Sequence, residues 1–157
     1  MTTLIDGAWL PVKDGDPRIV ALYERHYSAR PGLPIGQRRK WGISGPGESL
    51  CLLTVTCDAL FVWRAERFRK DKQQGINCAV FRNEGAILSS TLVKEACELA
   101  WVKWPGERLY TFVDPIKTRH KRDPGRCFIK AGWRRCGTSA EGLVILEILK
   151  AQGEVRE

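Results

Sequence analysis

The sequence predicts a single mixed α/β domain over residues 1–157, with a mostly antiparallel sheet and helices on both of its faces. Two observations lead to this fold class. Segments of helix and strand character follow one another in the order helix, hairpin, strand, helix, strand, helix, strand pair. The chain has 157 residues, of which 43% are hydrophobic and 28% charged, which is the size and composition of a globular domain with its own core.

The first half of the chain predicts one helix and one hairpin. Residues 1–16 are rich in turn signals and are expected to be irregular or to form a short strand. Apolar residues then recur at helical spacing over 18–28, behind a proline that suits a first helical turn. Residues 30–48 combine basic side chains with glycines and prolines, which predicts a loop. Strand formers over 49–56 and 59–63, separated by a two-residue turn, predict an antiparallel hairpin.

The second half predicts strands that alternate with helices. A strand over 76–81 is followed by a turn and by a helix for which Ser89 and Ser90 are the candidate N-caps. That helix is expected to end before Pro105. The remaining elements are a strand over 108–113, a helix from about Asp123 to Ala131 and a strand pair over 133–136 and 143–149.

The charge of the chain favours polyanionic partners. The net charge is +8 and the isoelectric point is about 9.4. Such an excess suits nucleic acid or a phosphate-bearing cofactor, although a merely basic surface is an equal alternative. The sequence contains neither an apolar run of about 20 residues nor a basic segment before an apolar stretch at its start. We therefore expect a cytoplasmic protein with no membrane contact.

The six cysteines are scattered and include no C-x-x-C pair. Most have apolar neighbours in the sequence, as around Cys51 and Cys78, which is typical of buried free thiols. We expect reduced core cysteines and no metal site.

The segment over 76–102 predicts an anion site by its strand–loop–helix order. The first backbone N–H groups of a helix are unpaired and lie at the positive end of its dipole, so they bind anions such as a pyrophosphate. No glycine-rich phosphate fingerprint is present. On the motif alone, a serine-capped turn without a ligand is the favoured interpretation.

One segment resembles a known family. In Phe128-Ile129-Lys130-Ala131-Gly132-Trp133 an aromatic residue precedes a Gly–aromatic pair at the end of a predicted helix. This is similar to the Tyr-x-x-x-Gly-Phe segment of the GNAT N-acetyltransferases. The order strand, helix, strand over 76–113 also resembles the cofactor-binding core of that family. The resemblance covers roughly residues 49–149 and implies a GNAT-like sheet.

The GNAT resemblance implies an acyl donor between the strands 76–81 and 108–113. Two positions differ from the family: residues 82–90 lack the usual Gln/Arg-x-x-Gly-x-Gly/Ala loop, and Phe128 stands where a tyrosine often protonates the leaving thiolate. We therefore expect weak or no binding of acetyl-CoA. The sequence does not identify the donor, which could be acetyl-CoA, another acyl thioester or an aminoacyl carrier. The residues implied as donor contacts are Phe81, Arg82, Ser89, Ser90 and Phe128.

A second resemblance is narrower. The triplet His26-Tyr27-Ser28, the strand ending in Asp114-Pro115 and the pair Gly132-Trp133 look like elements of phage Mom proteins, a GNAT-like branch that modifies adenine in DNA. The resemblance implies an anti-restriction role and a catalytic set of His26, Tyr27, Ser28 and Asp114. Histidine suits proton removal from a substrate amine. The alternative is a surface histidine whose charge suits a helix end.

Basic and aromatic residues interleave in four segments, which are Arg38-Arg39-Lys40-Trp41, Trp63-Arg64, Arg67-Phe68-Arg69-Lys70 and Lys117 to Arg122. Basic side chains bind phosphates, and aromatic rings can hold an extruded base. The alternative is a set of solvated loops, with most tryptophans in the core. We interpret Arg38, Arg39, Lys40, Trp41, Lys117 and Arg119 as DNA contacts.

The sequence therefore predicts a transferase that modifies the exocyclic amine of adenine in DNA. An acetyl-CoA-dependent N-acetyltransferase acting on a protein or small amine is the first alternative. A basic nucleic-acid-binding protein without activity is the second. The sequence does not decide the oligomeric state, for which a homodimer is one alternative.

Overall fold

The computed structural model describes residues 7–24, 47–66, 73–116 and 125–150. Within these ranges no helix is both long and apolar enough to cross a bilayer. The elements, in chain order, are β1 (Trp9–Val12), α1 (Pro17–Glu24), β2 (Gly47–Thr54), β3 (Ala59–Glu66), β4 (Ile76–Asn83), α2 (Ser89–Lys103), β5 (Leu109–Val113), α3 (Arg126–Lys130), β6 (Arg134–Thr138) and β7 (Val144–Ile148).

The seven strands in the described ranges form one sheet in the order β1-β2-β3-β4-β5-β7-β6. Neighbours are antiparallel except for β4 and β5, which are parallel. Parallel neighbours need a crossover connection rather than a tight hairpin, and α2 is the crossover between β4 and β5. The turn between β2 and β3 contains Cys57 with a φ of 61°. The predicted mixed, mostly antiparallel sheet is confirmed.

Helices cover both faces of the sheet, as predicted. On the face that we call face A, α2 and α3 pack through Leu92, Ala96 and Phe128 against Phe61 and Trp63 of β3. On the opposite face, face B, α1 packs against the apolar side chains of β2, β3 and β4. These contacts are made by Ile19 and Leu22 of α1 and by Cys51, Leu53, Leu60, Val62 and Val80 of the sheet. Burial of this apolar surface is the main stabilising term of the fold.

The prediction that Ser89 or Ser90 caps α2 is wrong. Leu88 is the N-cap residue, with φ −58° and ψ 131°, and no side chain of the described residues caps the helix. Both serines already lie inside the first turn. The Ser89 hydroxyl instead accepts a hydrogen bond of 2.9 Å from the Asn83 carboxamide. The end of α2 before Pro105 is as predicted.

Other boundaries differ by a few residues. α1 is helical over Pro17–Glu24, and the predicted continuation over 25–28 lies outside the described residues. α3 begins after Gly125, whose φ is 72°, and the predicted start at Asp123 is likewise not described. The expectation of core cysteines is right for Cys51, Cys78 and Cys97. It is wrong for Cys57, which lies in the β2–β3 turn, and for Cys136 on the edge strand β6, because both are exposed.

Candidate functional site

The central feature of the sheet is a cleft between β4 and β5. The two strands pair only from Ile76 with Leu109 to Cys78 with Thr111. Beyond that point β4 remains paired with β3 as far as Asn83, and β5 remains paired with β7 as far as Val113. Because the pairing of β4 with β5 ends while both strands continue, a cleft opens between them toward their C-terminal ends. The Thr111 hydroxyl donates a hydrogen bond of 3.0 Å to the Cys78 carbonyl at the point of separation.

A β-bulge lies directly beside this point. Val62 of β3 pairs with Val80, and Trp63 pairs with Cys78, so Ala79 is the extra residue. A bulge bends its strand and re-aims backbone groups, which are strong hydrogen-bonding groups that require partners. Ala79 has a small side chain, which packs against the apolar cluster of face B. β4 therefore presents main-chain N–H and C=O groups to the cleft.

The N-terminus of α2 lies just after the open end of β4. The first intrahelical bond at this end is the one from the Thr91 N–H to the Leu88 carbonyl, at 3.0 Å. Within the described residues, no backbone carbonyl accepts from the N–H groups of Ser89 and Ser90. With the positive end of the helix dipole, these donors form a surface suited to an anion.

The loop between β4 and α2 is held in one conformation by Asn83. Its amide nitrogen donates to the Ile87 carbonyl at 2.7 Å and to the Ser89 hydroxyl at 2.9 Å, and its carbonyl accepts from the Gly85 N–H at 2.9 Å. Gly85 is required here because a Cβ would lie 2.4 Å from the Asp58 carboxylate of the β2–β3 turn. These contacts fix the donors of α2 relative to β4.

Charged and aromatic side chains flank the same loop. Arg82 forms an ion pair of 2.5 Å with Glu84. Arg82 and Gly85 occupy the first and fourth positions of the GNAT loop pattern, whereas Ile87 stands at its last position. The predicted donor contacts Phe81, Arg82, Ser89 and Ser90 thus lie on the open half of β4 and the start of α2.

Phe128 belongs to the core rather than to an open surface. Its side chain is 6% exposed, and its ring lies 6.0 Å from that of Phe81 and 4.8 Å from that of Trp133. The ring packs in the core on face A, beside the separated strands. A phenylalanine side chain has no proton to transfer. Asp114 follows β5 at the open end of the cleft, where its carboxylate accepts a hydrogen bond of 2.9 Å from the Ile116 N–H.

The remaining predicted site residues lie outside the described part of the chain. They are the catalytic candidates His26, Tyr27 and Ser28 and the DNA-binding candidates Arg38, Arg39, Lys40, Trp41, Lys117 and Arg119.

A polar row that sequence reasoning missed crosses face B at the base of the cleft. Cross-strand pairing places Arg64 opposite Asn77, Asn77 opposite Tyr110, Tyr110 opposite Glu147, and Glu147 opposite Arg134. Asn77, Tyr110 and Glu147 are buried. The five residues lie on five different strands and are far apart in the sequence, so no local pattern indicates them.

Glu147 is the electrostatic centre of this row. Its carboxylate accepts hydrogen bonds of 2.5 Å from Arg108 and 2.8 Å from Arg134. The hydrogen bond from Arg108 is the main cause that lowers the pKa of Glu147, against the opposing effect of burial. Arg108 also donates to the Gln74 carbonyl at 2.9 Å and lies over the Tyr110 ring at 5.1 Å. Glu147 is thus ionised at neutral pH, where two guanidinium groups bind its carboxylate.

The buried thiols near the cleft are inert. Burial raises the pKa of Cys78 well above its ordinary value and that of Cys97 to about 12. Because the thiolate is the reactive form, neither group is a nucleophile at neutral pH. Among the described residues, no three His, Cys, Asp or Glu side chains lie together as metal ligands.

Comparison with solved structures identifies the architecture. The GNAT domain of S. lividans PAT superposes with a TM-score of 0.62, over 90% of this chain and 89% of that chain. The chain has the GNAT fold. The sequence identity is 16%, so the likeness concerns the fold alone. No family model and no curated protein matches the sequence.

Proposed function

We propose that this GNAT-fold chain is a transferase that modifies the exocyclic amine of adenine in DNA. The observation that carries the transferase part is the separation of β4 and β5 beside the N-terminus of α2. A cleft lined by unpaired main-chain groups, with an anion-binding helix end at its mouth, suits a donor that combines an amide-like chain with phosphate.

The donor in this proposal differs from ordinary acetyl-CoA. The backbone of β4 beyond the bulge binds the extended part of the donor, and Ser89 and Ser90 bind its anionic part. Phe128 supplies no acid for a leaving thiolate, because its ring is apolar and buried in the aromatic cluster. We expect another acyl thioester or an aminoacyl carrier to be the better donor.

The acceptor chemistry requires help from the protein. The lone pair of an exocyclic adenine amine is delocalised into the ring, so the amine is a poor nucleophile. In the proposed step its nitrogen bonds to the acyl carbon while the bond from that carbon to the donor sulfur or oxygen breaks. The amine proton passes to His26, and the leaving group takes up a proton from solvent. Tyr27 orients the amine.

The position of α1 supports this assignment. α1 packs on face B, the face that carries the polar row at the base of the cleft. It ends at Glu24, and His26 follows only two residues later in the sequence. The proposal therefore assigns the acceptor to face B and the donor to the cleft beside the N-terminus of α2.

The distribution of charge supports DNA as the partner. The basic segments 25–46 and 67–72 join the described sheet at one point, because Gly47, which follows the first, pairs with Glu66, which precedes the second. The first segment contains Arg38, Arg39 and Lys40. Lysine and arginine side chains supply the salt-dependent phosphate contacts on which DNA affinity rests.

Mass spectrometry of nucleosides tests the proposal. Plasmid DNA isolated from cells with and without this chain is digested to nucleosides and compared. A new deoxyadenosine species that depends on the chain supports the proposal. Unmodified DNA together with tight binding of acetyl-CoA, with a dissociation constant near ~1 μM, favours a protein or small-amine acetyltransferase. Unmodified DNA with DNA binding alone favours a non-catalytic protein.

A further inference from the structure

Asn77 is a buried polar residue whose carbonyl oxygen has no hydrogen-bond partner among the described residues. The residue is 6% exposed, and within that part of the chain no donor reaches Oδ1. A buried acceptor without a partner is destabilising by about 1–3 kcal/mol, so such groups are rare in folded proteins. The Asn77 carboxamide oxygen can therefore accept a hydrogen bond from a ligand.

The position of Asn77 indicates which ligand. It pairs with Tyr110 one residue before the last β4–β5 pair, Cys78 with Thr111. It therefore lies directly below the point where the two strands separate and the bulge begins. A group bound to Asn77 on face B would meet the end of a donor that runs down the cleft.

The charge around Asn77 selects against a cationic acceptor. Among the described residues, the polar row and its neighbour Arg108 contain three guanidinium groups, those of Arg64, Arg108 and Arg134, and one carboxylate, that of Glu147. Both oxygens of that carboxylate accept hydrogen bonds from arginine. Within the described part of the row, an alkylammonium group, as in lysine or a polyamine, would find no carboxylate available to pair with it, because that of Glu147 is already bound by two arginines.

We propose that Asn77 is the specificity-determining residue of the acceptor site, and that it selects a neutral nucleobase amine over an alkylammonium group. This inference rests on the proposed DNA modification. The carboxamide presents one acceptor and one donor side by side, which matches the amine and the adjacent ring nitrogen of adenine. The arginines of the row suit the phosphates that accompany the base, whereas the row offers a competing ammonium group no available carboxylate among the described residues.

The test compares three variants in cells that supply the donor, with modified deoxyadenosine measured as a fraction of total adenine. Asn77→Ala removes the carboxamide and is expected to lower modification about 10- to 100-fold, the effect of removing a two-point interaction with a base. Asn77→Asp keeps the shape but replaces the amide donor with an anion, and a similar decrease is expected. Thr54→Val is the control for stability, because Thr54 is 2% exposed but hydrogen-bonded to Asp58.

Thermal midpoints of the purified variants distinguish a ligand contact from a structural role. If Asn77 serves to bind a substrate, the Asn77→Ala variant modifies less adenine while its thermal midpoint stays unchanged or rises. The thermal midpoint of the Thr54→Val variant falls. Full modification by Asn77→Ala overturns the inference, as does a fall in its midpoint like that of Thr54→Val. Acylation of lysine or a polyamine by the wild type in preference to adenine also overturns it. Absence of modified adenine in wild type would contradict the proposed function instead.

Discussion

Replacement of Glu147 should measure how strongly the polar row stabilises the sheet. The Glu147 side chain is 8% exposed, and that of its partner Arg108 is 19% exposed. Removing one member of a buried charge pair costs about 3–5 kcal/mol, because the other member is left without compensation. The second partner, Arg134, is 71% exposed and regains water, so it contributes little to the loss. We expect Glu147→Ala to lower the free energy of unfolding by about 3 kcal/mol.

Urea denaturation at neutral pH gives this value directly, and in a chain of this size the midpoint temperature should fall by about 6–12 °C. Glu141→Gln is the control, because Glu141 is exposed in the β6–β7 turn. The effect should depend on pH. The pKa of Glu147 is lowered in the folded state, so its stabilisation is complete above its ordinary value of 4.5 and is lost as the pH falls below it. A Glu147→Ala variant as stable as the Glu141→Gln control at pH 7 would refute this reasoning.

Four further outcomes are expected. His26→Ala should abolish DNA modification while the circular dichroism spectrum stays native; retained modification would remove His26 from the catalytic set. Neutralising Arg38, Arg39 and Lys40 together should reduce the slope of log affinity against log salt by up to ~0.9 for each phosphate that the variant no longer neutralises; an unchanged slope in a DNA-binding titration would place the DNA surface elsewhere. Asn83→Ala should release the loop that positions α2 and lower modification at unchanged DNA affinity, and full activity would show that the loop needs no such support. Calorimetric titration with acetyl-CoA should show weak binding or none, and a dissociation constant near ~1 μM would contradict the inference drawn from Phe128.

The order of elements could be predicted because each has a local signal. The hairpin of β2 and β3 follows from two runs of strand formers around a short turn, and α2 follows from apolar residues at helical spacing. The cap of α2 was not predictable from the same pattern. Ser89 has the side chain of a capping residue, but Asn83, six residues earlier, binds its hydroxyl inside the first turn. Helix ends depend on such contacts and are therefore less certain than helix interiors.

The site could be predicted only in part, because its pieces depend on contacts between distant strands. The cleft between β4 and β5 was expected from the family resemblance, not from the periodicity of either strand. Asn77 gave no signal, since an asparagine in a strand is neither a motif nor part of an apolar pattern. The position of Asn77 beside the cleft is evident only in the folded sheet, where Tyr110, 33 residues later in the sequence, is its neighbour. The same holds for Glu147, whose partner Arg108 lies 39 residues away.

The central claim is that the chain transfers a group to the exocyclic amine of adenine in DNA, and the most direct measurement locates that group. Nucleosides from plasmid DNA made with the wild-type chain, the His26→Ala variant and no chain are separated and fragmented in a mass spectrometer. The account predicts a deoxyadenosine with added mass that stays with the base after loss of the sugar, present with wild type alone. It also predicts that the added group blocks reagents specific for the free amine. Identical nucleosides in all three samples, or added mass on the sugar or on another base, would contradict it.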